Sequence, residues 1–231
     1  MDVICVHITG NDRRALITRY LPYLEFISKE KRKRLSRFVR KDDFIRSLAS
    51  DILVRVLIVN RLNLSNKKIR FTLNDFGKPY LDGGRIEFNV SHSGEWVVAA
   101  VSQFPVGIDV EQIQPVKLDI ARRFFSEQEY SDLLAKEGEE QNHYFFDLWT
   151  LKESYVKACG QGLSIPLNSF QFSFKDGELL FKNNHSSKQV FFRQYQLNLY
   201  KLAVCSPYQD FPEKIEVLKL SELLREACRL L

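Results

Sequence analysis

The sequence has one methionine, the initiator, and only ten glycines and seven prolines among 231 residues. So few chain breakers exclude a fibrous or low-complexity protein. Four cysteines stand far apart, at 5, 159, 205 and 228, with no CxxC and no histidine at zinc-ligand spacing. That scatter reads as free thiols in a reducing compartment. No stretch reaches the roughly 18 apolar residues of a membrane helix, and the greasiest run, 52–59, is interrupted by Arg55. The N-terminal MDVICVHITGNDRR has an acidic second residue and no long apolar core, unlike a secretory leader. The expectation is a cytoplasmic protein with no membrane partner. GxxxxGK[ST] and GxGxxG are both absent, which argues against P-loop and Rossmann nucleotide sites.

What is present is a packed globular chain. Hydrophobic residues make up 45% and charged residues 27%, and eighteen Phe, nine Tyr and two Trp give an aromatic share of 13%. The length suits one large domain or two of roughly 110 residues. Net charge is +5, but residues 28–46 hold nine Lys and Arg against three acids, a local +6, which leaves −1 for the rest. A basic patch on a near-neutral body points to an anionic ligand with discrete phosphates. No nucleic-acid module signature or interleaved exposed aromatics accompany it, so nucleic acid is not the expected partner.

Along the chain, 3–8 is strand-like, and 12–27 and 28–62 read as helices, the second with Leu35, Phe38, Val39, Leu48, Ile52 and Val56 near the 3.6 period. Short strands follow at 69–71, 79–81, 86–90, 96–101 and 106–111. The text then turns helical at 120–125, at a helix opening on Ser126 with Glu129 as a capping box, and at 142–158 ending on Gly160. Strand-like runs at 170–174, 179–181, 190–195 and 199–204 precede a short amphipathic helix at 221–231. Each half therefore reads as helices followed by a small antiparallel sheet, with a boundary near 110–118.

Three constellations carry chemistry. In Gly107-Ile-Asp109-Val-Glu111, a strand points both carboxylates to one face. Side by side they repel unless one is protonated or a cation sits between them, and Mg²⁺ would bring substrate phosphates with it. Trp149, Glu153 and Lys157 stand at i, i+4 and i+8 on one helical stripe. Ser91-His92-Ser93 closes a strand with a polar turn suited to a phosphate; the nucleophile elbow GxSxG is absent, and adjacent Ser and His do not form a triad pair. Each alone also reads as ordinary structure: an acidic strand end, a surface ion pair, a satisfied turn histidine; the basic run at 28–46 likewise reads as a solvated helix face.

In this order and spacing, however, the pieces resemble the 4′-phosphopantetheinyl transferases, of the larger type that activates surfactin synthetase. The resemblance runs through Phe76-Gly-Lys-Pro79, Phe88-Asn-Val-Ser-His-Ser93, Gly107-Ile-Asp-Val-Glu111, Arg123-Phe-Phe-Ser-Glu-Gln-Glu-Tyr130, Trp149-Thr-Leu-Lys-Glu-Ser154 and Gly162-Leu-Ser-Ile-Pro-Leu167, nearly the whole chain. It implies an α+β fold of two pseudo-symmetric α/β halves, 1–112 and 113–231, with the active site at their interface. It implies transfer of the 4′-phosphopantetheine arm from coenzyme A to a serine of a peptidyl or acyl carrier protein, releasing adenosine 3′,5′-bisphosphate. It further implies a monomer, serving nonribosomal peptide synthesis and so antibiotic biosynthesis. By the same resemblance, Asp109, Glu111 and Glu153 form the Mg²⁺ site and Lys157 contacts the pyrophosphate. Lys31, Arg34, Arg46, Ser91 and His92 hold the coenzyme's phosphates, Gly77, Lys78 and Pro79 lie along the adenine, and about 160–191 docks the carrier. Arg34 stands where relatives also carry lysine.

Mechanistically, Glu153 is expected to take the proton of the carrier serine, directly or through water, and Lys157 to steady the phosphoryl oxygens. Glu129 is a second candidate for base or for orienting Lys157, although its capping-box role already explains it. A carrier or coenzyme A binding module without catalysis, and a Mg²⁺-dependent phosphohydrolase or nuclease, are the competing classes. The three intact acids favour the transferase over the first, and a need for an acceptor protein would separate it from the second.

Overall fold

Strand β1 (Asp2–His7) leads through α1 (Gly10–Arg14) and a 3₁₀ stretch (Ile17–Phe26) to α2 (Lys29–Leu35) and α3 (Lys41–Leu62). Short strands β2 (Phe71–Leu73) and β3 (Pro79–Leu81) form a hairpin, followed by β4 (Glu87–Ser93) and β5 (Trp96–Ser102). Next come β6 (Gly107–Gln112), α4 (Leu118–Phe124), α5 (Glu127–Leu134), α6 (Gly138–Cys159), β7 (Phe170–Lys175), β8 (Glu178–Asn183), β9 (Phe191–Leu197) and β10 (Tyr200–Ser206). The chain ends with β11 (Glu216–Lys219) and α7 (Leu220–Leu230). This computed structural model describes residues 1–183 and 189–231. The fold is α+β and divides into two units: Met1–Thr72 with Tyr80–Gln103 and Asp210–Leu231, and Leu73–Pro79 with Phe104–Gln209. Among the described residues no helix is long and apolar enough to cross a membrane.

The first unit is built on a sheet of order β11-β1-β5-β4, antiparallel except for β11, which runs parallel to β1 with Cys5 opposite Val217. Phe44, Ile45, Leu48, Ile52 and Val56 recur along one face of α3 and pack into one core with Val97, Ala99 and Val101 of β5 and Phe88 of β4. Leu220, Leu223, Leu224 and Ala227 of α7 close the same core. Arg55, which interrupts the apolar run of α3, is only 3% exposed; its Nε donates to Asp51 at 2.5 Å and its Nη1 to Asn66 at 2.9 Å. A buried cation with a carboxylate partner keeps the helix apolar face intact.

The second unit repeats that plan. A three-stranded antiparallel sheet of order β6-β10-β9 is covered by α6, which has 22 residues like α3. Its core is aromatic: Phe125, Phe145, Phe146, Tyr155, Phe170 and Phe172 are all buried, and Phe172, Phe181 and Phe192 meet with ring centroids 4.9–5.1 Å apart.

Two sequence expectations change, and one strand that the sequence does not announce is added. The helix expected over 12–27 is a short α1 and a 3₁₀ stretch, because Pro22 removes a backbone donor from the middle of the segment. The helix expected over 28–62 is two helices. Phe38 and Val39, which the 3.6-residue pattern assigned to the core, are 37% and 98% exposed in the turn between α2 and α3. Strand β11 carries no alternating pattern of its own and is formed by pairing with β1.

Candidate active site

Strand β6 lies against α6 because residue 107 has no side chain. A Cβ there would meet the Ser154 carbonyl oxygen at 1.9 Å and the Ala158 nitrogen at 2.4 Å. That close approach sets Asp109 beside the last two turns of α6. Asp109 is 2% exposed, and its Oδ1 accepts from the Lys157 ammonium at 2.5 Å. Glu153, one turn earlier on α6, has its proton affinity raised by burial first and by the Asp109 carboxylate second, with Lys157 pulling it down. Asp109, Glu153 and Lys157 thus form one electrostatic group. Glu111 sits two residues along β6, half-buried, opposite Lys201 of β10. Among the described residues no three His, Cys, Asp or Glu side chains gather closely enough to hold a metal ion by themselves. Trp149, one turn before Glu153 on α6, stacks on Phe145 at 5.7 Å and meets Phe124 edge-on at 5.8 Å, so its ring packs with the aromatic core.

Glu129 does not reach this group. Its carboxylate is fully buried; it accepts from the Ser126 and Phe172 backbone N–H groups at 2.8 Å each and pairs with Lys152 at 2.8 Å. With those partners it is part of the fold's interior, and its lysine is Lys152 and not Lys157.

The tip of the β2–β3 hairpin belongs to the same unit. Gly77 has φ +85°, a conformation that side chains disfavour. Asn74 makes the turn: its Oδ1 accepts from the Phe76 and Lys78 N–H groups at 3.0 and 2.8 Å, and its Nδ2 donates to the Gly160 carbonyl at 2.7 Å. Lys78 Nζ donates to the Val106 carbonyl at 3.3 Å. Gly77, Lys78 and Pro79 are therefore fastened both to the end of α6 and to the residue preceding β6. The sequence places a turn at 74–78; what it does not disclose is that Asn74 also ties that turn to Gly160 at the end of α6.

The basic residues lie in the first unit and fall into two places. Arg46 of α3 donates to the Gly94 carbonyl at 2.9 Å and pairs with Asp43 at 2.6 Å, which brings its guanidinium to the turn after Ser91 and His92. Ser91 is buried and His92 exposed at the end of β4. Lys31, half-buried on α2, has its ammonium pKa lowered by burial and by the neighbouring Arg34 and Arg55, against the pull of Asp51. Arg34 is exposed. The segment expected to dock a partner, about 160–191, comprises two 3₁₀ turns, the β7–β8 hairpin and the start of β9, with 184–188 outside the described residues.

Comparison with known proteins gives one consistent result. Residues 105–205 match the family model of the 4′-phosphopantetheinyl transferase superfamily, and residues 14–104 match that of the 4′-phosphopantetheinyl transferase N-terminal region. The 4′-phosphopantetheinyl transferase Sfp of Bacillus subtilis (strain 168) is 44% identical over 205 residues, covering 87% of this chain and 92% of that one. The 4′-phosphopantetheinyl transferase gsp of Aneurinibacillus migulanus is 39% identical over 205 residues, covering 88% of this chain and 85% of its own.

Proposed function

The chain belongs to the 4′-phosphopantetheinyl transferase superfamily and is a transferase, and from that premise we propose Mg²⁺-dependent transfer of the 4′-phosphopantetheine arm from coenzyme A to a serine of a peptidyl or acyl carrier protein. Adenosine 3′,5′-bisphosphate leaves. The setting is the cytoplasm, the acting form is a monomer, and the pathway is nonribosomal peptide synthesis.

One observation carries the reading: Asp109 and Glu153 share a partly buried place, with the Lys157 ammonium 2.5 Å from Asp109. A carboxylate whose proton affinity is raised by burial first and by a neighbouring carboxylate second suits a hard divalent ion. Mg²⁺ is usually held by one or two protein carboxylates, with water and substrate phosphate oxygens completing its shell. Asp109 and Glu153 would hold it, with Glu111 on the same face of β6 as a third donor. When bound, the ion would neutralise charge on the pyrophosphate oxygens as the bond to adenosine 3′,5′-bisphosphate breaks.

The chain's own residues supply the rest. The carrier serine must lose its proton as it attacks the β-phosphate, and a carboxylate held at the site within reach of that hydroxyl, directly or through one water, can accept it. Glu153 takes that proton directly or through water. Lys157 presents an ammonium to the phosphoryl oxygens in transfer. Lys31, Arg34, Arg46, Ser91 and His92 hold the coenzyme's phosphates, the 3′-phosphate included, while Gly77, Lys78 and Pro79 lie along the adenine. The carrier docks on about 160–191.

Intact-mass spectrometry of an apo peptidyl carrier protein incubated with this chain, coenzyme A and Mg²⁺ tests the reading. The carrier gains one phosphopantetheine mass, and the gain disappears with EDTA. Glu153→Gln lowers the rate by roughly 10²–10³. A gain that survives EDTA removes the metal from the reaction. No gain across several carriers despite tight coenzyme A binding makes the chain a recruitment module.

A further inference from the structure

Lys152 immediately precedes Glu153 on α6, yet it faces the interior and is fully buried. A lysine ammonium has three donors and no acceptor. Here all three are used: on the Leu167 carbonyl at 2.8 Å, the Phe170 carbonyl at 2.9 Å and the Glu129 carboxylate at 2.8 Å. The rings of Phe170, Phe125 and Phe172 surround Nζ at 4.6, 5.8 and 5.9 Å. Burial lowers the ammonium pKa, and the Glu129 charge opposes that. Glu129 is fixed in turn, by the Ser126 N–H at the start of α5 and the Phe172 N–H in β7. One ion pair therefore joins the middle of α6, the start of α5, the 3₁₀ turn Leu167–Ser169 and the first residues of β7.

Filling space does not require this pair. An apolar chain of similar length at 152 with a neutral partner at 129 avoids the desolvation cost of two buried charges, and such replacements are often neutral or stabilising. What the charged pair adds is direction: two oriented bonds, on the Leu167 and Phe170 carbonyls, fix where the end of the 162–170 segment sits relative to the helical turn carrying Glu153, and the third ties that turn to Glu129 of α5. We propose that Lys152 is a positioning residue that couples the 162–170 segment to Glu153, so that an acceptor protein touching this segment is registered at the proton-accepting carboxylate. The inference rests on the transferase reading above and deepens it.

The test is the paired substitution Lys152→Met with Glu129→Gln, which leaves no lone buried charge. Steady-state kinetics are measured with apo carrier and with coenzyme A as the varied substrates, and wild-type modification of the same carrier is the control that keeps the two readings separate. In the folded double variant, KM for the carrier rises and kcat falls, together by about tenfold or more in kcat/KM, while KM for coenzyme A is unchanged. Unchanged carrier kinetics, or an equal loss toward both substrates, overturns the proposal and leaves Lys152 a structural residue. The wild-type chain gives an answer that does not depend on folding of the variant. With coenzyme A bound, adding apo carrier slows amide exchange in both 162–170 and the 150–157 stretch of α6. Slowing confined to 162–170, or absent from both, overturns the coupling.

Discussion

Glu153 combines two opposed demands. Burial and the Asp109 carboxylate raise its proton affinity, and Lys157 restrains the rise. Carboxyl NMR titration of the chain without added metal or coenzyme A therefore places its midpoint above the ordinary glutamate value of about 4.3. Asp109→Asn removes the like charge and moves the midpoint down; Lys157→Met removes the cation and moves it up. A midpoint that responds to neither would sink the electrostatic group. The sign for stability follows from linkage. The folded chain binds this proton more tightly than the unfolded chain, so the contribution to stability is full below the unfolded value and is lost as pH rises through the raised folded one. At neutral pH the ionised carboxylate is thus a cost to the fold, and Glu153→Gln melts at a higher temperature than the parent while losing activity. That stability and activity move in opposite directions is what distinguishes a site residue from a packing residue.

At the scale of elements, the approach of β6 to α6 decides whether the site exists. Gly107→Ala puts a methyl into the Ser154 and Ala158 backbone, where nothing can rotate away. Forcing the pair apart costs about 1–3 kcal/mol, seen as a lower Tm, and activity falls further than stability because Asp109 moves with its strand. Replacing Gly83, at the tip of a turn with open space around it, tests only backbone strain and leaves the site in place. The sequence discloses the local half of this geometry. The i, i+2 spacing of Asp109 and Glu111, the i, i+4 spacing of Glu153 and Lys157, and the Ser126–Glu129 capping box are all legible, because each is set within one element. Illegible are the contacts between elements: that Gly107 is small for the sake of α6, that Lys152 turns inward to Glu129, that Trp149 joins Phe124 and Phe145, and that Lys31 of α2 and Arg46 of α3 settle at different places. Periodicity also misjudged Phe38 and Val39, since an apolar residue at the right phase is not thereby covered.

Across the whole molecule, the two ends of the chain build one sheet. β11 lies parallel to β1, the Met1 α-amine pairs with Asp210 at 2.7 Å, and Leu223 of α7 is fully buried in the core under α3. Leu223→Ala should cost about 2–5 kcal/mol, read as a lower denaturation midpoint, and should leave the Glu153 titration untouched because that residue belongs to the second unit. Charge is distributed as unevenly as structure: +6 within 28–46 against −1 elsewhere. A field concentrated on one segment acts on ligand charge over about a Debye length, roughly 8–10 Å near physiological salt. Coenzyme A, which bears a 3′-phosphate, should therefore bind more weakly as salt rises, whereas dephospho-coenzyme A starts weaker and changes less, so the two affinities converge at high salt. Calorimetric titration of both ligands at low and high ionic strength measures this. Lys31→Met or Arg34→Met should shrink the difference at low salt and raise KM for coenzyme A with little change in kcat. Equal affinities for the two ligands at low salt would remove Lys31, Arg34 and Arg46 from the 3′-phosphate and leave the basic segment as a solvated surface.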